Sequence, residues 1–267
     1  MQEPKPTRGR NRFRWLGVLG ALALLAAVAV ASSAAIGGKP APTRAAVAKT
    51  AAAQRLPSPQ GAERFQIPVT RSQPSRGPSD AIVTIVEWCD LRAGACARSD
   101  AAIEQVLARS GEPVRRVFRH FAQPTRGSQL GHQLARIAHE QAGKFWEARA
   151  LLSQSDAEPT APDIERVAEQ LGLDASATRA ALERGTHAGH VTADRVFAQM
   201  FGVDSAPALF VNGRRLEQPV SLAALQSLVD DELAYAKQLV GRGVPKEQVY
   251  AELTKNGTWR RPPTRSN

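Results

Sequence analysis

The sequence predicts an α/β domain set behind a basic, apolar N-terminus. Three observations carry that prediction. Residues 82–86, Ile-Val-Thr-Ile-Val, are a short β-branched apolar run, the length of a buried strand and too short for a membrane span. Composition then turns helical, with Ile103, Val106 and Leu107 at the spacing of one helix face, before residues 114–121 alternate as a second strand. Further on, residues 208–211 form an apolar run that closes on Asn212-Gly213, a hairpin signal.

In order, residues 65–69 alternate apolar and polar around Pro68, the pattern of an edge strand. The strand at 82–86 runs into Glu87, Trp88 and Cys89, then a short break, then Cys96 in the first turn of the following helix. The positive end of a helix favours a thiolate there. Gly111-Glu112-Pro113 ends that helix, and Val114, Arg116, Phe118 and His120 share one face of the next strand. This strand–helix–strand order implies a parallel pair joined by a right-handed crossover.

From Leu130 to about Met200 the text is helical, with segments near 132–141, 144–152, 163–171, 174–182 and 190–201, Asp174 serving as a cap. Phe145 and Trp146 read as core residues. After the strand and the Asn-Gly turn, residues 214–216 return as a short strand. Ser221 caps a helix to about Leu239, and residues 244–253 add a terminal one.

The chain has 267 residues and a formal charge of +10. Residues 1–63 hold nine of the 35 Lys/Arg and two of the 25 Asp/Glu, leaving 26 bases against 23 acids in the remainder. The basicity therefore belongs to the terminus and speaks for membrane topology, not for a nucleic-acid groove. Residues 1–14 form a basic cytoplasmic region carrying Lys5, Arg8, Arg10, Arg12 and Arg14. Residues 15–38 read as an uncleaved signal-anchor, with cleavage after Ala31 in Ala29-Val30-Ala31 as the alternative. Residues 39–63 are a flexible Ala/Pro-rich tether, 64–257 the folded domain with a helical insertion at about 128–202, and 258–267 a tail. The expected location is the outer, periplasmic side of an inner membrane, held by a single pass.

Two cysteines exclude a disulfide-dense scaffold and a four-cysteine zinc site. His187 and His190, three apart, are half of a possible metal site, but no acid or thiol near them in sequence completes it. His120, His132 and His139 read as packing or surface residues. No phosphate loop or nucleophile elbow is present, so no cofactor or metal is expected.

Several words of the text together resemble the DsbA-like branch of the thioredoxin fold. They are residues 76–81 (Arg-Gly-Pro-Ser-Asp-Ala) leading into Val-Thr-Ile-Val-Glu-Trp, residues 138–141 (Ala-His-Glu-Gln), residues 143–146 (Gly-Lys-Phe-Trp), and Ala206-Pro207 at the head of a strand. The resemblance implies a thioredoxin fold with an inserted helical subdomain, and dithiol oxidation or isomerisation of secreted proteins. It implies that Pro207 is the family's cis-proline and that the backbone at Ala206 pairs with bound peptide; the family usually has threonine where Ala206 stands. It further implies that Glu87 is the buried carboxylate serving the second cysteine. Expected partners are unfolded or extended secreted polypeptides and a membrane redox protein.

One departure matters. The family's Cys-x-x-Cys is here Ala93-Gly94-Ala95-Cys96, so the attacking thiol is lost at Ala93 while Cys89 stands where relatives often have serine. Three readings follow. Cys89 and Cys96 pair, as a redox couple or as a staple; Cys96 acts alone; or the domain is redox-inactive and binds extended peptide near Pro207. A passive module on a tether is a further class. Glu87 is correspondingly either a proton shuttle or an inert, hydrogen-bonded acid.

Overall fold

The structure is a computed structural model, and it describes residues 63–154 and 158–259. The basic terminus, the apolar segment and most of the tether lie outside the described residues, as does the end of the tail. Among the described residues no helix is long and apolar enough to cross a membrane.

The elements are β1 (Ser75–Arg76), β2 (Val83–Cys89), α1 (Gly94–Arg109), β3 (Val114–His120), α2 (Arg126–Ala142), α3 (Phe145–Leu152), α4 (Ala161–Gln170), α5 (Ala175–Glu183), α6 (Ala188–Gln199), β4 (Ala208–Val211), β5 (Arg214–Arg215), α7 (Leu222–Gly241), a 3-10 turn (Lys246–Gln248) and α8 (Val249–Thr254). The sheet order is β1-β3-β2-β4-β5. β2 and β3 are parallel, as the strand–helix–strand text requires, and the other pairings are antiparallel.

β2 is buried along its whole length because both of its faces are covered, which is why its sequence is a run and not an alternation. Val83 and Ile85 pack with Ile103 and Val106 of α1 and with Leu225 and Val229 of α7. Val86 and Trp88 face Phe65, Phe201 and Phe210. Trp88 lies 5.6 Å from Phe210 and 6.0 Å from Phe201, and its Nε1 donates to the Asp194 carbonyl at 3.1 Å. Each such fully buried side chain contributes roughly 1.5–3 kcal/mol. The first four inserted helices, α2 to α5, build a third cluster around Phe118, Leu134, Ile137, Phe145 and Ile164, to which the two cysteines belong, while α6 packs its Ala198 into the aromatic cluster.

Among the described residues, four of the eight helices start on a side-chain cap. Thr125, Asp174 and Ser221 each accept from a backbone N–H in the first turn, and Thr160 with Asp163 forms a capping box. Asn212 and Gly213 take the left-handed φ of the hairpin turn, at 45° and 83°. A Cβ on Gly213 would meet the Phe65 carbonyl at 2.5 Å, so glycine is required there. Asn212 also accepts from Thr84 N and donates to the Ile82 carbonyl, locking β4 to β2.

Two expectations are corrected. Residues 65–69 are not a strand: only isolated bridges form at Arg64 and Phe65, and the sheet edge is β1 at Ser75–Arg76. The alternation there reflects Phe65 and Ile67 turned into the aromatic cluster, not ladder pairing. Trp146 is only half-buried, covering a group of arginines, while its neighbour Phe145 is fully buried.

Candidate functional site: a buried disulfide at the start of the first helix

β2 ends at Cys89 and α1 begins at Gly94, so four residues turn the chain from strand to helix. Asp90 holds the turn. Its Oδ1 accepts from Arg92 N at 2.9 Å, and its Oδ2 accepts from Ser128 Oγ at 2.6 Å and Gln123 N at 3.1 Å. Ala93 is the N-cap of α1 and offers no side-chain cap, so its carbonyl alone receives the first-turn bonds from Cys96 N and Ala97 N. Cys96 is thereby brought back against the strand end. Cys89 and Cys96 form a disulfide with Cα atoms 5.8 Å apart, within the range such a bond requires.

Exposure decides what this bond can do. Cys89 is 0% and Cys96 2% exposed, while Ala93 at the helix start is half-buried. The chain thus presents a methyl group at the helix start and keeps both sulfurs in the core. Exchange needs a sulfur that another thiolate can reach.

Glu87 points to the same face of β2 as Cys89. It does not stand alone. Its Oε1 accepts from Arg116 Nε at 2.8 Å and Arg149 Nη1 at 2.7 Å, and all three side chains are buried. Arg116 also donates to Glu104 at 2.8 Å, and Arg149 lies 3.1 Å from Asp100. Burial works against the Arg116 charge, but Glu87 and Asp100 outweigh it and hold its pKa above the ordinary value. Trp146 lies 4.8 Å from the Arg116 guanidinium and 5.8 Å from that of Arg149. One Glu87 oxygen, Oε2, is buried without a partner. Removing one member of such a buried pair costs roughly 3–5 kcal/mol, so the pair braces the sheet against the insertion.

Beside the disulfide lies a second polar group that the sequence reading treated as packing. His120 is the β3 partner of Cys89. Its Nδ1 is 2.8 Å from His132 Nδ1, and both rings are buried. His132 Nε2 is 3.3 Å from Leu91 N and 3.5 Å from Asp90 Oδ2. Burial, then the charges of His132 and Arg136, push the His120 pKa well below the ordinary imidazole value. Burial would raise Asp90, but the hydrogen bond and charge of His132, with the bonds from Ser128 and the Arg92 N–H, hold it far below the usual carboxylate range. Composition hid these groups: four of the seven residues of β3 are basic, which reads as an exposed strand, yet all but Arg115 are buried, and a buried base needs a partner.

The Ala206–Pro207 peptide bond is cis. Ala206 and Ala93 both pack against the cluster that holds the two cysteines. Among the described residues no hydrogen bond reaches the N–H or C=O of Ala206, whereas Ala208, two residues on, is paired with Trp88. The structure therefore gathers Cys89, Cys96, Ala93, Ala206 and Pro207 around one end of the sheet, and sets Glu87 in an arginine clamp.

Residues 70–231, more than half of the chain, match the family model described as thioredoxin. The Na(+)/H(+) antiporter NhaA 3 of Salinispora tropica is 34% identical over 166 residues, which cover 61% of this chain and 25% of that protein. The chain thus spans about a quarter of the length of such curated relatives. Among solved structures, oxidised BdbD from Bacillus subtilis is similar at a TM-score of 0.57 and 20% identity, covering 65% of this chain and 98% of that one. The thiol-disulfide exchange protein alpha-DsbA2 from Wolbachia pipientis is similar at a TM-score of 0.54 and 16% identity, covering 60% and 87%. The mixed sheet, the inserted helices and the family match lead to one assignment: the chain belongs to the thioredoxin family, with the DsbA-like form of its fold and a degenerate Ala-x-x-Cys site.

Proposed function

We propose that this chain is an exported member of the thiol–disulfide oxidoreductase class that binds extended segments of secreted polypeptides and does not itself turn over their disulfides. The observation that carries the reading is the burial of both sulfurs in one bond while position 93, which a substrate disulfide would meet, is alanine. The unpaired backbone of Ala206, next to cis-Pro207, supports binding by main-chain pairing, which selects extended conformation over side-chain identity. Glu87 acts in this reading as a structural acid, since two arginines already claim its charge.

A second reading keeps the oxidoreductase chemistry. It makes Cys89–Cys96 the redox pair, and the neighbouring Asp90–His132–His120 group favours it, because proton-handling residues beside a disulfide suit thiol chemistry. It requires the strand end to open before a thiolate can attack. Residues 15–38 support residence at the outer face of the inner membrane, where a membrane redox partner and unfolded secreted chains would both be met. The antiporter likeness is confined to a quarter of those proteins and gives no support to transport.

The test is binding of an unfolded, cysteine-free polypeptide. Replacing Pro207 by threonine should lower the affinity at least tenfold while circular dichroism stays unchanged. Equal affinity of the folded variant would sink the peptide-binding reading.

A further inference from the structure

We infer that Glu140, His187 and His190 form a binding site for a divalent transition-metal cation of the zinc type, clasping α2 to α6. The three residues lie in two separate stretches of the sequence. Glu140 is near the C-terminal end of α2; His187 is the N-cap of α6 and His190 lies in its first turn. The helices pack against each other, and one ligand atom from each residue lies within 4.8 Å of the others. The sequence shows the two histidines as half a site without a third donor; the fold supplies Glu140.

Three features favour a cation over a chance cluster. First, the His187 Nδ1 is 3.4 Å from Glu140 Oε2, close to the separation of about 3.3–3.5 Å that two donors adopt around a tetrahedral zinc ion at 2.0–2.1 Å from each. Second, this Nδ1 is buried and makes no hydrogen bond, a polar atom that a bound cation would satisfy. Third, the Glu140 carboxylate is already oriented. Its other oxygen, Oε1, accepts from Arg136 Nε at 2.6 Å, and Arg136 is itself pinned to the Ser72 carbonyl at 2.8 Å. Metal-ligating carboxylates are held in this way by outer partners.

Two imidazole nitrogens and one carboxylate oxygen are a donor set for zinc, copper or nickel rather than for calcium or magnesium. Three protein ligands leave a fourth position for water or an incoming group. The Arg136 charge opposes the ion's charge, so the site is weaker than a closed structural zinc site. The rings of His187 and His190 have centroids 6.3 Å apart, and His190 and Glu140 are exposed, so both can adjust by a rotamer change without disturbing the core.

The experiment is zinc titration of the folded full chain by calorimetry, with cobalt(II) absorption as a second readout. The expected result is one zinc per chain, a visible cobalt band of tetrahedral type, and a loss of affinity of at least tenfold in His190→Ala and in Glu140→Gln. His139→Ala, a half-buried neighbour outside the triad, should bind as the wild type does. No uptake by the folded wild type at micromolar zinc would overturn the site, and so would uptake that His190→Ala leaves unchanged.

Discussion

At the scale of single residues, one methyl group governs the chemistry. Ala93 stands at the helix start, where the proposed reading puts a lost thiol, and the alanine itself is plain in the sequence. The pairing of Cys89 with Cys96 was legible only as one of three options, because spacing alone does not say whether a strand end and the next helix turn face each other. The network beside them was missed because His120 and His132 look like ordinary packing residues until the fold brings Asp90 between the turn and α2. It has a measurable consequence. In the folded chain the buried His120 resists protonation, whereas in the unfolded chain its imidazole takes a proton as pH falls through about 6.5. The unfolded state then binds more protons than the native one. Stability is therefore complete above that value and falls on acidification, by up to about 1.4 kcal/mol per pH unit for this one group. His139 and His187 are shifted in the same direction and add to the loss. Urea unfolding at pH 7.5 and 5.5 should show lower stability at the acid value, with a smaller difference in His120→Gln. Equal stability at both pH values would contradict this account of the buried pair.

At the scale of elements, the sequence was most informative where one physical cause acts alone. The run at 82–86, the helix faces and the caps at Asp174 and Ser221 depend on periodicity and local hydrogen bonding, and they stand where the text puts them. The edge strand failed because alternation at Phe65 and Ile67 records burial, and burial does not require a ladder partner. β1, two residues with no apolar signal, is defined only by its pairing with Val117 and Arg116 of β3. Glu140 joining His187 and His190 likewise depends on helix packing between distant segments. The disulfide ties β2 to α1 across six intervening residues, a short loop, so the chain-entropy estimate of its contribution is about 2–3 kcal/mol. Replacing both cysteines by serine should cost about that much in a denaturation midpoint experiment, plus whatever the buried hydroxyls lose by lacking partners. A double variant as stable as the wild type would mean that the bond braces nothing.

At the scale of the whole molecule, a thioredoxin-family domain leaves the backbone of Ala206 without a hydrogen bond among the described residues and buries both of its sulfurs. Its charge is nearly balanced beyond residue 63, so the domain itself lacks an electrostatic reason to hold nucleic acid or lipid. The apolar stretch at 15–38, outside the described residues, supports a place at the membrane surface. The exposed family site can be rebuilt by moving one cysteine: Cys89→Ser with Ala93→Cys restores Cys-x-x-Cys at the start of α1 and frees Cys96 from the strand. The most direct measurement is turnover in a dithiol-oxidation or insulin-reduction assay, comparing the wild type with that double variant. The account predicts background rates for the wild type and clear activity for the double variant. Wild-type turnover that Cys89→Ser alone abolishes would contradict it and make the buried pair the working redox couple.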